Sequence, residues 1–359
     1  MGTYAASTSV SIDRSRAEIE HTLIRYGATS FVYGWEEGHR RIHRQPETSG
    51  LLTRTSAVSR TVRYLSPLRY PGGKARMSTF LADTFIRQSG PMDIEVWVEP
   101  FAGGAGAGLT LLDQGVVSEL WLTESNPALA ALWRVIASDG HRFADLVAHT
   151  VPDLSVWGNA RELIAANAAG EDVNDPDLAF AAFILNRCSR SGMVNPAVGP
   201  IGGKNQTGRW SLQSRFNGPA LADRIRRVAD FGDAVRIGEG DAIDRIADLA
   251  GSGVEHEVFL FVDPPYIREG NRLYAQGMTM GDHERLAEAL HGCPSPWVLT
   301  YDDEPCVHQT LYPGMRVLEY EIPHTANRQR IDREYAVLSD NLVIGAAPAV
   351  LPKGSTRLQ

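Results

Sequence analysis

The octapeptide Phe259-Leu260-Phe261-Val262-Asp263-Pro264-Pro265-Tyr266 constrains this 359-residue chain more than any other stretch. Its first four residues form an apolar run that reads as a buried strand. A parallel strand of this kind in an α/β protein opens into a ligand crevice at its carboxyl end, which places the next four residues where chemistry occurs. Asp263 accepts a hydrogen bond from an exocyclic amine, and a backbone carbonyl beside a proline accepts a second. Two acceptors placed this way draw the nitrogen lone pair out of conjugation with its ring. Tyr266 offers a face on which a base removed from its duplex stacks. An ordinary Pro-Pro turn capped by an aspartate satisfies the same string, so this stretch does not decide the chemistry alone.

Three further motifs precede it. Arg69-Tyr70-Pro71-Gly72-Gly73-Lys74 combines glycines that let backbone approach a ligand, an aromatic ring at Tyr70 and a cation at Lys74 that suits a carboxylate. The spacing of Met77, Phe80, Leu81 and Phe85 then predicts a helix over 75–87. A second strand, Val96-Trp97-Val98, runs through Glu99, Pro100 and Phe101 into a loop containing Gly103 and Gly104. A carboxylate at that strand end repels a phosphate, so the loop suits a cationic or zwitterionic ligand such as S-adenosylmethionine better than a dinucleotide. The third motif, Glu124-Ser125-Asn126-Pro127, ends the next predicted strand, where an acid about 20 residues after a glycine loop usually holds a ribose diol. Helix capping accounts equally well for Ser125 and Asn126.

In this order the four motifs resemble the DNA adenine N6-methyltransferases typified by Dam, over about residues 67–345. The resemblance implies an α/β, Rossmann-like, S-adenosylmethionine-dependent methyltransferase sheet, mainly parallel and seven-stranded, with an inserted helical target-recognition domain. It also implies that Tyr70, Lys74, Glu124 and Asp263 contact the methyl donor. The full candidate donor site is Tyr70, Lys74, Glu99, Phe101, Gly103, Gly104, Glu124, Asn126, Asp241 and Asp263, and the candidate catalytic group is Asp263, Pro264, Pro265 and Tyr266. Asp241 resembles the family position beside the donor's adenine ring, or caps the helix after it. Glu124 departs from the Asp more common in the family. No metal is expected. His283 reads as a residue in the first turn of a helix rather than a general base.

The chain carries a formal net charge of −8, yet Asn186 to Arg236 holds nine Lys or Arg against three Asp. A local basic stretch on an acidic chain suits one phosphate-facing surface, and a solvated helix face explains Arg224, Arg226 and Arg227. Arg187, Arg190, Asn195, Lys204, Arg209 and Arg215 are the candidate DNA-binding residues, basic side chains positioning phosphates and amides or arginines reading base edges.

The expected organisation is an N-terminal appendage and linker over 1–66, a donor-binding half over 67–140, a recognition insertion over 141–236, a catalytic half over 237–345 and a loose tail over 346–359. The appendage reads as a helix-turn-strand unit followed by a polar linker from His43 to Arg63. Cys188, Cys293 and Cys306 are too widely spaced for a zinc site or a disulfide framework. No apolar run approaches the roughly 20 residues of a membrane span, and the expected location is cytoplasmic.

The expected partner is double-stranded DNA, with a cognate restriction endonuclease as a further candidate. The reaction that the resemblance implies is methyl transfer to adenine N6. The alternatives are another amine (cytosine N4, an RNA adenine or a protein amide, the last disfavoured by Asp rather than Asn at 263) or a catalytically silent DNA-binding module.

Overall fold

The computed structural model describes residues 32–36, 39–43, 65–70, 74–92, 94–254, 257–268, 277–324, 330–345 and 356–358. The chain divides into two units, Met1–Thr61 and Val62–Gln359. In the first, β1 (Val32–Glu36) pairs antiparallel with β2 (His39–His43). The strand expected near Tyr33 is thus present, whereas the helix expected from Asp13 and the linker beyond His43 lie outside the described residues.

The second unit is built on one mixed sheet. Its strands are β3 (Val96–Glu99), β4 (Glu119–Glu124), β5 (Val235–Glu239), β6 (Val258–Val262), β7 (Trp297–Asp302), β8 (Arg316–His324), β9 (Arg330–Leu338) and β10 (Thr356–Leu358). They lie in the order β10-β8-β9-β7-β6-β3-β4-β5. The run β5-β4-β3-β6-β7 is parallel, and β9, β8 and β10 are antiparallel additions beyond β7. Strands β3 to β9 form the expected seven-stranded sheet, and Thr356–Leu358 adds an eighth strand against Val317–Glu319 where a loose tail was expected. That pairing is made by backbone groups, which three residues such as Thr-Arg-Leu do not advertise.

Every residue of β3, β6 and β7 is buried, as strands covered on both faces require. Alternation divides them between two cores. On one face Trp97 stacks on Phe259 with ring centroids 4.9 Å apart, flanked by Phe85 and Phe261, beneath α1 (Ser78–Met92) and α2 (Gly106–Asp113). On the other, Val98, Leu260, Val262 and Leu299 meet Ile246 of α7 (Ala242–Ala250) and Leu286 and Leu290 of α8 (Met280–His291).

Between β4 and β5 the chain forms α3 (Pro127–His149), α4 (Leu154–Ala168), α5 (Asp175–Cys188) and α6 (Gly218–Ala229). Each starts at an Asn or Asp whose side chain accepts from backbone N–H groups of the first turn: Asn126, Asp153, Asn174 and Asn217. The boundary expected between residues 140 and 141 falls inside α3, beside the break in helical geometry at Asp139, and the one between 236 and 237 falls inside β5.

Candidate active site

The order of the strands fixes where a site can form. From β3 the chain moves outward through α2 to β4, whereas β6 leads through α8 to β7 on the opposite side. The gap between the carboxyl ends of β3 and β6 is therefore the topological switch point of the sheet. Each of the five parallel strands ends on or beside an acid: Glu99, Glu124, Glu239, Asp263 and Asp302.

On the β3–β4 side, carboxylates hold backbone. Glu99 Oε1 accepts from the N–H of Gly108 at 2.6 Å and from the indole of Trp97 at 3.0 Å. Burial pushes Glu99 up to about 7, against the lowering effect of both donors. Gly108 is needed there because an added Cβ would lie 2.4 Å from Leu120 and 2.8 Å from Glu99. Glu124 takes the N–H of Gly103 at 3.1 Å on one oxygen and that of Asn126 at 2.9 Å on the other. Burial raises its pKa, and these backbone bonds oppose the rise.

Gly103 adopts a left-handed φ of 47°, its carbonyl accepts from Trp133, and it lies so close to the Tyr70 ring that a Cβ would sit 2.6 Å from it. Tyr70, Gly103, Gly104, Glu99 and Glu124 are thus brought into one loop-and-acid cradle. Phe101 is partly buried and packs on the core below β6. Asn126 caps α3, and its amide reaches the carbonyl of Val194 at 3.5 Å. Asp241 caps α7 through Ile243 and Asp244. Beside it, Gly240 has a φ of 147° and open space where a Cβ would stand.

On the β6 side, carboxylates hold side chains. Lys74 is buried, and its Nζ lies 3.0 and 3.2 Å from the two oxygens of Asp263, 3.7 Å from Glu334 of β9 and 4.9 Å from the centre of the Tyr266 ring. The hydroxyl of Thr300 donates to Asp263 at 2.6 Å. Burial raises the Asp263 pKa, Lys74 opposes that rise, and Glu334 adds to it. The Tyr266 hydroxyl donates to Glu334 at 2.9 Å, and so does that of Tyr320 at 2.6 Å. A quarter of the Asp263 side chain remains exposed, so the acid faces an opening while its partners lie behind it. Pro264 is buried and Pro265 half-buried. Beyond Tyr266, Asp302 accepts from the N–H groups of Ile267 and Arg268, which fixes the chain leaving the motif.

Lys74 thus lies against Asp263 at the end of β6. His283 is buried on α8 with Nδ1 2.7 Å from the Tyr301 hydroxyl, and its pKa is lowered by burial.

The basic stretch separates into two populations. Arg187 donates from Nε to the carbonyl of Arg215 at 2.9 Å and from Nη1 to that of Pro67 at 3.4 Å. Burial pushes it down to about 10, helped by Arg69 and Arg224. Arg69, absent from the sequence-based set, donates to the carbonyls of Ser189 at 2.9 Å and Arg190 at 3.3 Å. Its backbone is held by Asn186, whose side chain accepts from Arg69 N at 2.8 Å and donates to Arg69 O at 2.9 Å. These arginines tie the first motif to the end of α5. Arg190, Lys204, Arg209 and Arg215 are exposed, and Asn195 is half-buried with its side chain accepting from Ala197 N. Arg209 lies 5.3 Å from the ring of Trp210, which is 60% exposed and was also absent from the sequence-based set.

Glu334, Thr300 and Tyr320 were not singled out from the sequence either. A signal existed for the first: an acid beginning the run Glu-Tyr-Ala-Val-Leu, all of it buried, needs a partner.

The model of the family described as D12 class N6 adenine-specific DNA methyltransferase matches residues 70–319, a span that runs from Tyr70 through Asp263 to β8. Comparison with the curated proteins gives no match. Among solved structures, the chain is similar to two of the rRNA methyltransferase aviRa from Streptomyces viridochromogenes. One is 17% identical, covering 72% of this chain and 82% of that one, with a TM-score of 0.31. The other is 15% identical, covering 79% and 91%, with a TM-score of 0.33.

Proposed function

Since the chain belongs to the D12 class of N6 adenine-specific DNA methyltransferases, we propose that it transfers a methyl group from S-adenosylmethionine to N6 of an adenine flipped out of duplex DNA. The observation that carries this reading is the environment of Asp263. An acid at the switch point, backed by Lys74 and Thr300 and open on one side, is a hydrogen-bond acceptor aimed at a crevice.

S-adenosylmethionine supplies an electrophilic methyl on a sulfonium, and the chain supplies the setting for attack on it. The residues fit such a donor. The loop from Glu99 to Gly108 is held by carboxylates instead of cations, which favours a positively charged ligand over a phosphate. Both oxygens of Glu124 are held by backbone N–H groups, and the carboxylate retains acceptor capacity beyond these for a diol. Gly240 leaves room beside Asp241 for a flat ring. Tyr70, Lys74, Glu99, Phe101, Gly103, Gly104, Glu124, Asn126, Asp241 and Asp263 are the proposed donor-site residues. Of these, Lys74 and Asp263 bind where donor and acceptor meet, and Glu99, Phe101 and Asn126 shape the loop.

At the acceptor, Asp263 and the Pro264 carbonyl hold the target amine and localise its lone pair, and Tyr266 stacks on the base. Positioning and the fixed charges of a preformed site then carry most of the rate. The recognition surface is assigned to the exposed Arg190, Lys204, Arg209 and Arg215 with Asn195, carried by the segment between β4 and β5. Arg187 supports that surface through backbone carbonyls.

The test is nucleoside mass spectrometry of unmethylated plasmid DNA incubated with the protein and labelled S-adenosylmethionine. Labelled N6-methyladenine is expected. Label on cytosine, or on RNA or protein offered alongside, would reassign the acceptor, and no label on any of them would overturn the reading.

A further inference from the structure

We infer that Glu334, far from the sequence motifs and on the antiparallel β9, is a positioning residue for methyl transfer: it orients Tyr266 through its hydroxyl and shares Lys74 with Asp263. The inference rests on the assignment of Asp263 and Tyr266 to the acceptor side.

The contacts of Glu334 reach both groups, Tyr266 and Lys74. It stands where β9 faces Asp302 of β7 on one side and Tyr320 of β8 on the other. One oxygen, Oε2, receives the hydroxyls of Tyr266 and Tyr320 and lies 3.7 Å from Lys74 Nζ. A carboxylate only 2% exposed is costly unless such donors surround it, so its presence inside a strand of Tyr, Ala, Val and Leu calls for a task. Two tasks follow from its contacts. Tyr266 has its ring under the Lys74 ammonium and its hydroxyl fixed from behind, which sets the plane on which a base stacks. Lys74 has two carboxylate partners, so it remains held when an incoming amine competes for the oxygens of Asp263.

The charged and titratable groups that bear on Asp263 are Lys74 from the turn before α1, Glu99 from β3, Glu334 from β9, and Tyr266 and Tyr320, both of which also bond Glu334. Of these, Glu334 is an acid that raises Asp263, and its removal also takes away a carboxylate that shares Lys74 with Asp263. Both changes hold Asp263 ionised to lower pH.

Three variants test the inference, each assayed on unmethylated DNA for kcat, KM and pH profile. E334Q keeps the side-chain volume and removes the charge. Its kcat/KM is expected to fall by about tenfold or more, the loss typical of a bond to a charged group, and the acid limb of its pH profile is expected to move to lower pH. Y266F removes the hydroxyl bond with no change in site charge. It is expected to raise KM for DNA with the acid limb unmoved. Y320F loses the other hydroxyl on Glu334 but leaves its charge and its bond to Tyr266, and is expected to lower kcat/KM less than E334Q does.

A wild-type E334Q overturns the inference, as does an E334Q whose activity falls while the acid limb stays in place. A Y320F that reproduces the E334Q defect also overturns it, because Glu334 would then serve only to join β8 and β9. An inactive wild-type enzyme defeats the acceptor assignment itself and the inference with it, an outcome distinct from the other three.

Discussion

The two halves of the crevice use the same side chains in opposite ways. At the ends of β3 and β4, Glu99 and Glu124 accept backbone N–H groups of Gly108, Gly103 and Asn126. At the end of β6 and on β9, Asp263 and Glu334 accept from Lys74, Thr300, Tyr266 and Tyr320. A carboxylate bound to backbone sets the shape of a loop, and replacing it disturbs that loop. One bound to side chains sets charge and orientation at a point, and replacing it alters chemistry while the surrounding strands stay paired. Substitutions in the first half should therefore be read out in stability, and those in the second in turnover.

The largest effect is expected at Asp263. D263A removes the acceptor that faces the opening and leaves Lys74 with Glu334, so the fold retains a neutralised cation. Turnover should fall by at least about 10²-fold, the scale of losing one preorganised electrostatic partner. Single-turnover methyl transfer measures it. Activity within a few-fold of wild type would erase the distinction between the halves.

Glu99 gives the complementary stability effect. Its pKa is raised by burial from an ordinary 4.5 to about 7, so between those values the folded protein keeps a proton that the unfolded chain has released. Its contribution is complete below about 4.5 and lost as pH rises through about 7. E99Q cannot ionise. Unfolding free energies from denaturant titrations at pH 5 and pH 8 should shift in favour of E99Q, relative to wild type, by up to about 3 kcal/mol at the higher pH. A gap that stays constant between the two pH values would show that Glu99 does not carry a burial cost.

The two halves also differed in how readily they could be read from sequence. Phe259 to Val262 and Val96 to Val98 are unbroken apolar runs, so their burial on both faces, and the crevice beyond them, followed from composition along the strand. The acids at 99 and 263 stand directly after those runs, and their position follows from the strands. Glu334 has no such marker. Its role depends on β9 lying between β7 and β8, a long-range pairing that brings residues 266, 320 and 334 together across the sheet. Lys74 is a similar case. The motif that contains it suggested a cation for a carboxylate, and only the packing of the turn at Lys74–Met77 decides that this carboxylate is Asp263.

The smallest effect separates arginines that sequence alone could not tell apart. Arg187 and Arg209 belong to one basic stretch, yet Arg187 spends its guanidinium on the carbonyls of Arg215 and Pro67, and Arg209 is exposed beside Trp210. The division between shape and chemistry is thus expected again in DNA binding. K204A and R209A should each flatten the slope of log K against log salt by about 0.9, one phosphate contact apiece, and leave stability unchanged. R187A should instead cost about 1–3 kcal/mol of stability, because the carbonyls of Arg215 and Pro67 lose a charged donor. Filter binding across a salt series, beside thermal melts of the same proteins, measures both. Slopes equal to wild type in K204A and R209A would remove the exposed group from the DNA interface, and a lowered slope in R187A without loss of stability would place that guanidinium on a phosphate.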